Sequence, residues 1–288
     1  AGDAHADVNQ GRTDTGSTPL YFAAQEGNLD VVRYLTVDAH ADVNQGRKDT
    51  GATPLLIAAQ EGNLDVVRYL TVDAHADVNQ GRTDTGATPL YFAAQEGNLD
   101  VVRYLAGDAH ADVNQGRKDN GVTPLLIAAQ KGNLDVVRYL AGDAHADVNQ
   151  GRTDNGATPL YIAAQEDNLG VVRYLARNAH ADINQGRKDT VSTSLCIATE
   201  KGNLDVVRYL GVVRLTRGQR FLRLLDLIGV LDRQEQKRKR KLHQNAEHQG
   251  RVDRNERTIR YREVVSSEQM RAAVIRLVGG NDSMSAKC

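Results

Sequence analysis

The sequence predicts an all-α solenoid: six 35-residue helix–turn–helix units with projecting loops, followed by a helical or partly disordered tail. Three observations lead there. Thr-Pro-Leu returns every 35 residues, at Thr18, Thr53, Thr88, Thr123 and Thr158, with a decayed Thr193-Ser194-Leu195 in sixth place, and takes up all five prolines of the chain. Each unit holds two short stretches of helically spaced apolar residues bounded by capping and breaking residues. The units are also nearly identical, and a period of roughly 20 to 50 residues marks a stack in which no unit can bury its apolar face alone.

The second unit, Lys48 to Leu70, illustrates the elements in order. Thr53 can cap a helix that opens on Pro54, where a missing N–H costs nothing. Gly62 supplies the left-handed residue that ends it. Asn63 is then expected to cap a second helix, with Asp65 in its positive first turn and Leu64, Val67 and Leu70 on one apolar face. Ala58 and Ala59 leave room for close helix approach. Helices shorter than about 12–15 residues are marginal in water, so stacking on the neighbouring units has to stabilise both. The segment from Asp73 to Gly81, rich in Asp, Asn and Gly, suits an extended turn and not a third helix.

The Thr-Pro-Leu-Tyr-Phe-Ala and Thr-Pro-Leu-Leu-Ile-Ala stretches, the Gly before them, Ala-Ala, Gly-Asn-Leu-Asp-Val-Val and Ala-Asp-Val-Asn together resemble the ankyrin repeat. The resemblance covers residues 1–210. It implies a non-catalytic scaffold that binds a protein partner, with no cofactor, no metal and no small-molecule ligand. The histidine of the family signature is replaced by Tyr21, Leu56, Tyr91, Leu126, Tyr161 and Cys196, positions expected to form the core of the stack. Two residues beyond the usual 33 are placed at the end of the second helix and in the projecting turn. Residues 1–12 repeat Ala106–Arg117 letter for letter, so the chain is expected to start inside a longer array and its first helices to show an uncovered apolar face.

The resemblance also locates the contact residues, at the polar positions that ankyrin proteins vary. On the loop tips these are Asp14, Thr15, Lys48, Asp49, Thr50, Thr85, Lys118, Asn120 and Asn155. On the first helices they are Gln25, Glu26, Gln60, Glu61, Gln95, Glu96, Gln130, Lys131, Gln165 and Glu166. They hardly change along the array, which reads as a young duplication, and the alternation of Tyr-Phe with Leu-Ile makes a 70-residue pair its unit. The fifth copy exchanges two residues, Asp167 for Gly and Gly170 for Asp, and the sixth carries Val191, Ser194 and Thr199.

Histidines recur at His5, His40, His75, His110, His145 and His180, each within Asp/Asn-Ala-His-Ala-Asp. Copies one helix-packing distance apart, about 10 Å, cannot share an ion, so these read as residues that tolerate positive φ where the second helix ends. Asp42 to Gly46 fails as a calcium loop, since its Gly falls one position early and Thr53 stands where a bidentate Glu is needed. No phosphate loop, His-Glu-x-x-His or nucleophile elbow occurs, and the reading is not an enzyme.

Charge divides unevenly. Residues 1–210 hold 18 Lys and Arg against 28 Asp and Glu, and residues 211–288 hold 18 against 9. Residues 1–210 form the array, 211–232 an apolar capping region, and 233–288 a basic, partly disordered tail with the run Lys237, Arg238, Lys239, Arg240, Lys241. That run carries the alternative function: a nuclear regulator whose tail contacts nucleic acid or an import receptor. Two cysteines, no secretory signal and no apolar run of about 18 residues place the protein inside the cell and off the membrane, in the cytoplasm or, on the alternative, in the nucleus.

Overall fold

The computed structural model describes residues 7–190 and 192–213. Its described residues fold into twelve α-helices in six antiparallel pairs: α1 (Pro19–Gln25) with α2 (Leu29–Val37), α3 (Pro54–Glu61) with α4 (Leu64–Val72), α5 (Pro89–Glu96) with α6 (Leu99–Arg103), α7 (Pro124–Lys131) with α8 (Leu134–Arg138), α9 (Pro159–Gln165) with α10 (Leu169–Arg177), and α11 (Ser194–Lys201) with α12 (Leu204–Val213). First helices pack on first helices of the next copy, and second helices on second helices. This is the helix–turn–helix solenoid of the ankyrin type. Of the apolar region expected over residues 211–232, residues 211–213 form the end of α12; the rest of it, the basic tail expected over 233–288 and His5 lie outside the described residues.

Local sequence sets each first helix. Thr53 is extended and its Oγ1 accepts from the Leu56 N–H at 3.2 Å, with Pro54 at the first helical position. Gly62 closes the helix at φ 79°, a conformation that costs an L-residue with a Cβ roughly 1–2 kcal/mol. The same threonine cap and proline recur at Thr18, Thr88, Thr123 and Thr158, and Gly97 and Gly132 close α5 and α7 as Gly62 closes α3. In the sixth copy Thr193 still caps, but Ser194 stands where Pro stood, and its hydroxyl is buried without a hydrogen-bond partner.

The second helix departs from the expected cap. Asn63 sits at the N-cap position, yet its side chain makes no bond to its own helix. Its amide instead donates to the carbonyls of Ala24 at 3.0 Å and Gln25 at 2.8 Å, one repeat back. Asn98, Asn133, Asn168 and Asn203 do the same. The C-terminal carbonyls of a first helix have no partner within that helix, and a short amide from the next copy reaches them. Leu64 is only half-buried, and Val66, Val67, Tyr69 and Leu70 form the buried face.

The second helices of repeats one to five end in a wide turn. Ala39 N–H donates to Tyr34 O at 3.1 Å, an i to i+5 bond repeated at Ala74, Ala109, Ala144 and Ala179. Inserting one residue into a helix gives such a π-type turn, which accommodates part of the extra length. Where Ala-Gly follows Leu, at Tyr104–Asp108 and Tyr139–Asp143, the turn extends into a full π segment. His40, His75, His110, His145 and His180 follow at φ 53° to 56°, as their sequence position predicts.

The core is the seam between copies. Leu20, Leu55, Leu90, Leu125 and Leu160 are fully buried, with Ala24, Ala59, Ala94, Ala129 and Ala164 beside them. Burying one such Leu is worth about 1.5–3 kcal/mol, too little in a single pair of short helices to offset their ordering. Tyr21, Leu56, Tyr91, Leu126 and Tyr161 are buried as expected of core residues, whereas Cys196 in the last copy is exposed.

Candidate protein-binding surface

The loop tips are built as a ladder. Within one tip, Arg47 N–H donates to Ala52 O at 3.0 Å and Gly51 N–H to Arg47 O at 2.8 Å. Gly51 must be glycine here: its φ is 68°, and a Cβ would stand 2.4 Å from Cγ2 of Thr83 in the next tip. Between tips, Lys48 N–H donates to Thr15 O at 3.0 Å, Thr83 to Thr50, Lys118 to Thr85, Thr153 to Asn120 and Lys188 to Asn155. One backbone hydrogen bond thus joins each tip to the next.

Each tip is braced by an arginine fork that the sequence reading did not single out. Arg47 Nε lies 3.0 Å and its terminal nitrogen 2.6 Å from the two oxygens of Asp49. Arg12–Asp14, Arg82–Asp84, Arg117–Asp119, Arg152–Asp154 and Arg187–Asp189 repeat the pair. The guanidinium holds each of these carboxyls below the ordinary Asp range, and brings Asp84 down to about 2. The Arg47 guanidinium also lies 5.6 Å from the ring centre of Tyr21, and Arg117 lies 5.9 Å from that of Tyr91, tying tip to first helix. The available signal was Arg-x-Asp two residues before each tip glycine.

The candidate contact residues therefore divide by what they already do. Asp14 and Asp49 are engaged in forks. Thr15, Thr50, Thr85, Asn120 and Asn155 give their carbonyls to the next tip, and their side chains accept from the N–H two residues on, as Asn120 Oδ1 does from Val122 at 3.0 Å. Gln25, Gln60, Gln95, Gln130 and Gln165 give backbone carbonyls to the asparagine amides. Gln95 and Gln165 also donate to Glu96 and Glu166. That leaves Lys48 and Lys118 on the tips, and Glu26, Glu61, Gln130 and Lys131 at the first-helix ends, as exposed side chains that no bond of the frame uses.

Burial pushes the Tyr139 hydroxyl above its ordinary range. Among the described residues no three metal-ligating side chains converge, and no helix is long and apolar enough to cross a membrane.

Comparison with protein families gives a match to the model for ankyrin repeats (3 copies) over residues 3–81, 37–117, 74–152, 109–186 and 144–212. No curated protein matches the chain.

Proposed function

Because this chain belongs to the ankyrin repeat family, whose repeats are generally protein–protein interaction modules, we propose that it is a scaffold binding a protein partner through its loop tips and first helices. The observation that carries this reading is the division of labour on the surface. Backbone bonds between tips, the Arg47–Asp49 type of fork and the Asn63 type of amide hold the frame. Lys48, Lys118, Glu26, Glu61, Gln130 and Lys131 project from it unused. A frame ordered before binding loses little further entropy when the partner arrives, so more of the contact energy appears as affinity.

The test is capture from a lysate by the full chain and by a variant carrying Lys48→Glu, Lys118→Glu and Lys131→Glu, at two salt concentrations. The reading expects a specific protein held by the natural chain and lost by the variant, with the melting temperature of the two unchanged. A partner retained equally by both would move the binding surface elsewhere.

A further inference from the structure

The loop tips share one backbone plan, and two of them carry a reactive pair. Thr15, Thr50 and Thr85 precede the tip glycine in the first three, whereas Asn120 precedes Gly121 and Asn155 precedes Gly156 in the next two. These are the two Asn-Gly pairs of the chain. Asparagine improves the local bond: its Oδ1 accepts from Val122 N–H at 3.0 Å and from Ala157 N–H at 2.9 Å, against 3.4 Å for the hydroxyls of Thr50 and Thr85. It also brings a carboxamide that can be attacked.

The frame itself dictates the glycine beside it. Gly121 has φ 69°, and a Cβ there would stand 2.5 Å from Thr153 Cγ2; Gly156 has φ 75°, and its Cβ would stand 2.7 Å from Lys188 Cγ. Without a Cβ, the backbone nitrogen lies sterically open to the side chain that precedes it. Close packing of tip on tip therefore places the least hindered nucleophile next to Asn120 and Asn155.

We propose that Asn120 and Asn155 are deamidation sites whose reaction is gated by opening of the tip. Gly121 N attacks Asn120 Cγ, the new N–Cγ bond closes a succinimide, and Nδ2 leaves as ammonia with the proton of Gly121 N. Water then opens the ring. Cleavage at Cγ gives Asp, and cleavage at the main-chain carbonyl gives isoaspartate. No oxidant or reductant is needed, since amide and water become acid and ammonia.

In the closed tip both reactants are engaged. Gly121 N–H donates to Arg117 O at 2.9 Å while the carboxamide holds Val122 N–H, and Gly156 N–H donates to Arg152 O at 2.9 Å while Asn155 holds Ala157 N–H. Ring closure consumes the first bond and requires the second to break, so it proceeds from locally opened tips. The two products then differ. Asp keeps an acceptor for Val122 N–H and lowers the charge of the tip by one beside Lys118. Isoaspartate routes the chain through Cβ and Cγ, one carbon longer, and turns the carbonyl that receives Thr153 N–H at 2.9 Å into a free carboxylate, which breaks the ladder between tips.

The experiment incubates the full chain for weeks at neutral pH and physiological temperature, beside a sample unfolded in guanidinium chloride, with peptide mapping by mass spectrometry. Acid is expected at Asn120 and Asn155 in the folded chain, about ten to a thousandfold more slowly than in the unfolded one. Asn114 and Asn133, followed by Gln and Leu, should stay amides. Chains carrying isoaspartate at 120 should lose hydrogen-exchange protection at Thr153 N–H, whereas those carrying Asp should keep it. Asn120→Thr, the residue of the earlier tips, should abolish acid at 120 and leave the rate at Asn155 unchanged. No acid at either site in the folded chain, or acid spread equally to Asn114 and Asn133, would overturn the sites. Equal rates in folded and unfolded chains would overturn the gating.

Discussion

The side-chain amide of Asn63 donates to the carbonyl of Ala24, 39 residues earlier, at 3.0 Å. Its second hydrogen goes to Gln25 O at 2.8 Å. A residue placed to cap its own helix therefore completes the helix end of its neighbour. Asn63→Ala removes both bonds and leaves half-covered carbonyls, at a cost of about 1–3 kcal/mol. Asn28→Ala is expected to be near neutral, since the Asn28 side chain makes no hydrogen bond among the described residues. Denaturant unfolding of the two variants checks the contrast, and equal losses would contradict the inter-repeat role.

His75 is held at φ 56° in the left-handed region, which costs a residue with a Cβ roughly 1–2 kcal/mol. Glycine removes that strain but has more freedom to lose on folding, so His75→Gly is expected to stabilise by about 0.5–1 kcal/mol net. The gains at His40, His110 and His145 should add nearly independently, because the sites share no partner. Melting temperatures of the single and multiple variants provide the measurement. A metal role would instead show as a ligand-dependent stability lost in the same series.

The fifth repeat carries its exchange at a structural cost. Asp167 occupies the left-handed position at φ 61°, where the other copies have Gly, and Gly170 stands in the first turn of α10, where they have Asp. The reversal Asp167→Gly with Gly170→Asp relieves the strain, restores a carboxylate at the helix N-terminus, and replaces Gly within a helix. Together these are expected to add about 1–2 kcal/mol. If the double variant melts no higher than the natural chain, the exchange is compensated elsewhere.

Acid should loosen the tips. In the folded chain Arg82 holds Asp84 down to about 2, whereas an unfolded Asp titrates near ~4. The unfolded state thus takes up protons first. The stabilisation by the fork is complete above ~4 and is lost as pH falls through about 2. Thermal melts from neutral pH downward should hold steady and then decline across that window, more shallowly in Asp84→Asn than in the natural chain. Parallel declines would show that the forks do not contribute. The forks are exposed, so the difference is expected to be small and reduced by salt.

What the sequence decided is local. Thr53 as cap, Pro54 as first residue, Gly62 at positive φ and His75 as a tolerated left-handed residue each follow from backbone sterics within a few positions. The period alone implied that such units stack. Only the tertiary structure decided which candidate contacts are frame and which are free. Thr50 looks like any exposed loop threonine until its carbonyl meets Thr83 N–H in the next tip, and Asn63 looks like a cap until Ala24 lies beside it. These partners are 33 to 39 residues apart. Their pairing depends on the register in which one copy seats on the next, which is set by packing across the seam and not by the propensity of either segment.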